Sequence, residues 1–303
     1  MDVGVIGTGV MGRNHARNYA DMKEVDSVCL YDVNHAAASE VAKTYDLTAV
    51  DSLDELLATV DAVSLCVPTQ FHFQTALEIV KQNVPLLIEK PICLSTEQGQ
   101  KLIEEIPDGL TVGVGHIERF NPIIEEIARI VHNPLYVEIK RHNPASARVT
   151  GSSVVEDLMI HDIDIIFNSL FSGDYSLSCA GTYDICGALF NFGDVPVYLS
   201  ASRKASKKVR SIYVEEEELT VEGDFMAQEV YVYRKPGKYA LSEERYVQEN
   251  IIEKVMVNKR EPLREELSLF LRAAREGRPF VITPEQGLSN LRICEEIKEQ
   301  CTL

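Results

Sequence analysis

An apolar run at residues 3–6 passes directly into Gly7-Thr8-Gly9-Val10-Met11-Gly12, and the stretch 11–19 that follows has apolar residues at helical spacing. A strand that turns this sharply into a helix narrows the possible folds more than any other feature of the chain. In a GxGxxG turn the first glycine permits the bend, the second lets a phosphate group come close to the backbone, and the third lets helix and strand pack tightly. The alternation then continues, with β-branched apolar runs at 28–31, 62–67, 86–89 and 111–114 separated by helical patterns at 36–44, 53–58, 71–81 and 96–106. Parallel strands need such crossover helices. Residues 1–118 are therefore expected to form a doubly wound α/β Rossmann domain with a parallel sheet.

After Pro122 the runs alternate apolar and polar residues, at 135–141, 198–202, 212–221 and 229–234, with Gly, Asp and Pro between them. That texture predicts a large, mostly antiparallel sheet with one covered face, so residues 119–303 are expected to be an α+β domain that binds substrate and forms oligomers. Two helical patterns, 154–171 and 263–275, are available to cover it. The second ends at Gly277 and Pro279. Thr283-Pro284-Glu285-Gln286 then offers an N-cap, a first-turn proline and a capping-box partner for a last helix at about 284–300, which is expected to pack back on the Rossmann domain. The acidic stretch 215–218 reads as a solvated strand edge.

Composition removes whole classes of partner. With 30 Lys and Arg against 47 Asp and Glu, the net charge of −17 has the wrong sign for nucleic acid or an anionic membrane surface. Nor is there a run near the roughly 20 apolar residues a spanning helix requires. The first apolar run stops at Gly7 and follows Asp2, unlike a secretory signal, so a soluble, cytoplasmic protein is expected. Seven scattered cysteines form no CxxC pair; they are expected to be reduced thiols, mostly buried, and no metal site is expected.

Gly7, Gly9, Val10, Met11 and Gly12 are the expected phosphate-binding turn, with free amides at the helix start to hold a pyrophosphate. Asp32 ends the second strand about 20 residues beyond Gly12, where a carboxylate accepts hydrogen bonds from the adenosine ribose and repels a 2′-phosphate. Val33, Asn34 and His35 add no Arg or Lys, so NAD is favoured over NADP. The competing reading of Asp32 is that it caps the helix at 36–44. Lys90, in Glu89-Lys90-Pro91, follows a parallel strand and so lies on the ligand edge of the sheet.

In the apolar segment 155–167, Asp157 and His161 stand four residues apart and share a helix face, with Asp164 and Asn168 continuing the line. Burying a carboxylate and an imidazole in so apolar a helix is costly without a purpose. Asp157 can orient His161. A structural Asp–His hydrogen bond is the bland alternative, and a metal site, for which no third ligand cluster stands out, a lesser one.

Together these motifs resemble the Gfo/Idh/MocA family of sugar and polyol dehydrogenases. The resemblance rests on the GxGxxG turn, Pro68 to His72, Glu89-Lys90-Pro91, Asp157-x-x-x-His161, Pro262-Leu263 to Phe270, and Thr283-Pro284-Glu285. It implies that Lys90, Asp157 and His161 are the catalytic set, His161 being the general base. It also implies that Pro68, Thr69, His72, Glu89 and Lys90 lie along the cofactor. The runs 114–122 and 157–162 are similar to those of UDP-N-acetylglucosamine 3-dehydrogenases, which implies a nucleotide-sugar substrate. Lys90, Arg119, Asn121, Arg141, Arg148 and His161 are then the expected substrate contacts, the arginines facing the diphosphate. The resemblance implies a homodimer or homotetramer. A free polyol or monosaccharide dehydrogenase and a non-catalytic NAD-binding sensor stay open as alternatives.

Overall fold

The apolar runs of the N-terminal part line up as one parallel sheet in the computed structural model, which describes residues 1–148, 151–235, 239–242, 245–248 and 251–302. Its strands are β1 (Asp2–Ile6), β2 (Ser27–Tyr31), β3 (Thr48–Ala49), β4 (Ala62–Leu65), β5 (Leu86–Glu89) and β6 (Val112–Gly115), in the order β3-β2-β1-β4-β5-β6. The crossovers are α1 (Val10–Ala20), α2 (His35–Tyr45), α3 (Leu53–Leu57), α4 (His72–Lys81) and α5 (Thr96–Glu104). Strands β4, β5 and β6 are buried along their whole length; both faces are covered by helices, which is why they read as unbroken apolar runs. Strand order reverses between β1 and β4, and the loops after those strands open the crevice where ligands bind in sheets of this kind.

The second sheet has eight strands: β7 (Tyr136–His142), β8 (Ser176–Thr182), β9 (Ile185–Phe192), β10 (Val195–Ser202), β11 (Val209–Glu215), β12 (Leu219–Asp224), β13 (Glu229–Arg234) and β16 (Ile251–Lys254). A separate hairpin joins β14 (Tyr239–Ser242) to β15 (Arg245–Gln248). The order is β16-β13-β12-β11-β7-β10-β9-β8, antiparallel except for the β7–β10 pair. Alternation sends Val137, Ile139, Val197, Leu199, Ile212 and Val214 to one face, which meets Ile123, Ile124 and Ile127 of α6 (Pro122–Ile130) and the apolar residues of the segment 154–166. The acidic stretch is not a strand edge. It closes the turn from β11 to β12, where Glu216 accepts the amides of His132 and Asn133.

The chain divides into two units, Met1–Phe120 with Glu261–Arg292, and Asn121–Arg260 with Ile293–Leu303. This corrects the expectation for the helical pattern at 263–275. As α8 (Pro262–Glu276) it buries Leu263, Leu267, Phe270 and Leu271 in the Rossmann core instead of covering the antiparallel sheet. The chain after it runs beside β6: Val114 donates to the Ile282 carbonyl at 3.1 Å, Thr111 Oγ1 to the Arg278 carbonyl at 2.8 Å. Gly113 makes room, since a Cβ there would stand 2.3 Å from the Phe280 ring. An apolar stripe identifies the face a helix buries but not the sheet that receives it. The last helix, α9 (Pro284–Cys301), is divided between the units after Arg292, and Thr283 and Gln286 form the capping box at its start. Cys66, Cys93, Cys186 and Cys294 are buried, the other cysteines half-buried, and none of the seven is in a disulfide. Among the described residues no helix is long and apolar enough to cross a membrane.

Candidate active site

In the Rossmann unit the turn after β1 is shaped by its glycines. Gly7 has φ +87°, and a Cβ on it would lie 2.8 Å from the backbone of Cys66 and Val67; a Cβ on Gly12 would lie 1.8 Å from the Gly7 carbonyl oxygen. Gly9 differs, because nothing lies within 4 Å of where its Cβ would be. That open space over free amides at the start of α1 fits a pyrophosphate, which a side chain would displace. Val10, Val33 and Phe71 leave apolar surface exposed after β1, β2 and β4, all on the carboxyl edge of the sheet. Met11 is half-buried, Pro68 is exposed, and Thr69 is half-buried at the start of a 3₁₀ turn, Thr69–Phe71.

Asp32 ends β2 with its carboxylate held in place: Oδ2 accepts the Thr8 amide at 2.7 Å and the Thr8 hydroxyl at 2.9 Å, while Oδ1 accepts the Asn34 amide at 2.9 Å. Burial works against its charge, yet these donors keep the carboxyl below the usual aspartate range. The capping alternative fails because Asn34, not Asp32, accepts the Ala37 amide at the start of α2. Asp32 is left at the crevice edge with the spacing a ribose contact requires.

From residue 86 to 93 every position is buried except Lys90, in the turn just beyond β5. Two buried histidines hold the backbone around it. His15 Nε2 lies 2.8 Å from Glu89 Oε1, and Glu89 Oε2 accepts the Lys90 amide at 3.3 Å. Burial opposes the charge of Glu89, but the hydrogen bond and charge of His15 still hold its carboxyl below the ordinary range. On the other side His72 places Nδ1 2.9 Å from the Pro91 carbonyl and Nε2 2.9 Å from the Val67 carbonyl. The Lys90–Pro91 peptide is cis. Glu89 and His72, expected along the cofactor, are thus 6 % and 1 % exposed and spend their polar atoms inside the protein. They correct the expectation: these side chains shape the lysine's loop and do not line the crevice.

In the second unit the segment carrying Asp157 and His161 departs from a regular α-helix. A π-helical stretch, Val155–Met159, leads into α7 (Ile160–Ile165), and a second, Ile166–Leu170, follows. From residue 153 to 166 only Asp157 and His161 are not fully buried. Asp164 is buried, and it accepts from Asn168 at 3.3 Å. Glu156 accepts the Ser153 amide and hydroxyl at 3.0 and 3.1 Å and pairs with Lys298. Asp162, fully buried, pairs with Arg141 through Nε at 2.8 Å and Nη2 at 2.7 Å.

That pair removes Arg141 from the substrate contacts. Its guanidinium is 1 % exposed, bound to Asp162 and stacked 5.3 Å from the Phe225 ring centre, because its strand position faces the covered side of the sheet. Asn121 is corrected too: it caps α6 through the Ile123 amide, donates to the Phe225 carbonyl at 3.0 Å, and is 3 % exposed. Arg119 is half-buried and donates to Gln286 at 2.8 Å. Arg148 ends the 3₁₀ turn Pro144–Arg148. Sequence reasoning passed over His15 and Arg203, both buried. His15 is legible afterwards, one helical turn past Gly12 on the face of α1 toward the sheet; Arg203 follows a strand with no spacing that marks it. Among the described residues no group of three or more His, Cys, Asp or Glu side chains is arranged to hold a metal ion.

The family model for Gfo/Idh/MocA oxidoreductases with an NAD-binding Rossmann fold matches residues 1–116. UDP-N-acetylglucosamine 3-dehydrogenase of Acidithiobacillus ferrooxidans is 31 % identical over 293 residues, spanning 92 % of this chain and 90 % of its own. The solved structure of that enzyme, GnnA, matches with a TM-score of 0.87 at 30 % identity, over 99 % of this chain and 97 % of the other. Levoglucosan dehydrogenase in complex with NADH and L-sorbose, at 16 % identity, shares the fold with a TM-score of 0.80 over 100 % of this chain and 96 % of that one. Fold and relatives together define the class: a sugar dehydrogenase of the NAD(H)-binding Rossmann type. Within that class, the chain belongs to the Gfo/Idh/MocA family.

Proposed function

We propose that this enzyme oxidises the C3 hydroxyl of UDP-N-acetylglucosamine to the 3-keto sugar, with NAD as oxidant. Bound NAD⁺ supplies the hydride acceptor. His161 takes the hydroxyl proton, so the alcohol leaves as a ketone and the imidazole ends protonated; an imidazole is suited to this near neutral pH. Lys90 donates to the same oxygen and its charge stabilises the developing alkoxide. Asp157 orients the imidazole and balances its charge. The observation that carries this reading is burial: along 153–166 only Asp157 and His161 are open, and along 86–93 only Lys90. A group that meets a ligand must be reachable while its neighbours pack.

Asp32 and the absence of a following Arg or Lys favour NAD over NADP. Arg119 and Arg148 are the cations proposed for the diphosphate. The substrate itself rests on the similarity to the Acidithiobacillus enzyme. Mixing the enzyme with NAD⁺ and UDP-N-acetylglucosamine should give NADH absorbance and a keto sugar; oxidation of myo-inositol and not the nucleotide sugar would overturn the substrate. Lys90→Ala and His161→Ala should each lose roughly a thousandfold or more in kcat while binding NAD as tightly as the parent. Near-parental turnover in either variant removes that residue from the chemistry.

A further inference from the structure

Among the described residues Arg203 and Arg141 are the two arginines buried in the second unit, and Arg203 is the one beside Asp157, with no task in the proposed reaction. It follows β10 directly, is 1 % exposed, and its amide donates to the Asp184 carbonyl in the turn between β8 and β9. Its guanidinium points at the beginning of the helix that carries Asp157. Nη2 donates to the Ser152 carbonyl at 2.7 Å and to the Ser153 carbonyl at 3.0 Å, and lies 3.3 Å from Asp157 Oδ2. Nη1 lies 3.7 Å from Asp184 Oδ1, and the guanidinium carbon is 5.7 Å from the Tyr183 ring centre. Asp184 is in turn held by Lys204 at 2.9 Å.

A buried cation at this place needs an explanation. The amino end of a helix carries the positive end of its dipole and repels cations, and desolvating a guanidinium is costly unless its partners are well placed. The two serine carbonyls take up only the two hydrogens of Nη2, so the charge itself has to be met by carboxylates. The third partner, Asp157, is one of the two side chains along 153–166 that stay open. A carboxylate has two oxygens, so one can be fixed by a guanidinium while the carboxylate still orients a neighbouring imidazole. The rigid fork of an arginine suits this better than a flexible lysine.

We propose that Arg203 is the positioning residue of this active site: it fixes the Asp157 carboxylate, and through it His161, without touching substrate or cofactor. The inference rests on the roles given above to Asp157 and His161. The β8–β9 turn shares in it, because the Val154 amide donates to the Tyr183 carbonyl at 2.9 Å, so the same corner that holds Arg203 also holds the start of the helix.

The test is a double-mutant cycle on the full chain loaded with NAD⁺, with Arg203→Met, Asp157→Asn and the pair. Arg203→Met should lose about a hundredfold in kcat with the KM for UDP-N-acetylglucosamine and the affinity for NAD within about threefold of the parent, and Arg203→Lys should restore part of the loss. In the Asp157→Asn background Arg203→Met should cost less than about threefold more, the non-additivity of groups that act as one. A second readout needs no substrate. The ring resonance of His161, assigned by its loss in His161→Asn, should move in the same direction in Arg203→Met and Asp157→Asn, while that of His142, bonded to Ser200, stays put. Losses that multiply, or a His161 resonance unmoved by Arg203→Met, overturn the proposal. If Arg203→Met does not fold, Arg203→Lys decides by the same two criteria. Parental activity in Asp157→Asn would instead defeat the reading of the site on which the proposal stands.

Discussion

Gly12 has no alternative at its position: a Cβ 1.8 Å from a backbone oxygen cannot be accommodated without moving the turn. Gly12→Ala should therefore weaken NAD binding by about a hundredfold or more, read by titration of NADH fluorescence, and the helix start should shift with it. Glu89 tests a different kind of constraint. Its folded-state carboxyl lies below the ordinary range, so the stability it contributes is present above the unfolded-state value of about 4.3 and is lost as pH falls through the folded value. Glu89→Gln should cost about 3 kcal/mol in urea unfolding at neutral pH, with the gap to the parent closing as pH drops below about 4. A gap of constant size would mean that the His15 bond and not the charge matters. At this scale the positions of the residues proposed for the chemistry were legible: Asp32 follows β2 and Lys90 follows β5, as their spacing and their place after a strand predict. The roles of Glu89 and His72 were not, because a motif records which residue stands beside the lysine and not whether it faces the crevice or the interior.

The segment 154–171 reads as a single helix in the sequence, and its apolar residues fill more than one stripe. From 153 to 166 nearly every position is buried, as is required of a helix enclosed on all sides, and π-helical turns replace the α-helix at both ends, a substitution frequent at functional sites. Two buried arginines from neighbouring strands then take up its carboxylates, Arg141 for Asp162 and Arg203 for Asp157. The first pair is sealed from solvent. Asp162→Ala should leave a buried, uncompensated guanidinium and destabilise the second unit by about 3–5 kcal/mol, whereas Arg141→Met with Asp162→Leu should be neutral or better. Equal melting temperatures for Asp162→Ala and the double variant would contradict this account. Such pairs join elements far apart in the chain, and periodicity, which is a property of one element, carries no trace of them.

For the whole molecule the decisive fact is that the Rossmann unit is discontinuous. Leu263, Leu267, Phe270 and Phe280 belong to the same core as Val3, Val5 and Leu86, and Phe280 stacks 6.0 Å from Phe120. Residues 1–120 alone should expose that core and fail to give a cooperative melt, while the same residues joined by a flexible linker to 261–292 should fold and bind NADH. Cooperative folding of 1–120 by itself would show that the returning helix is dispensable. What the amino-acid order determined directly was local: strands and crossovers of period 2 and 3.6, the glycine turn, the capping box, the Asp157–His161 face, and through them the parallel Rossmann sheet, the antiparallel sheet and the dehydrogenase class. What only the tertiary structure decided was which core α8 enters, which polar groups face inward, and which arginine meets which carboxylate. Local geometry is set by neighbours within a turn or a strand, whereas burial and ion pairing depend on elements brought together from tens to hundreds of residues away, whose contact free energy has no signature in either partner's sequence.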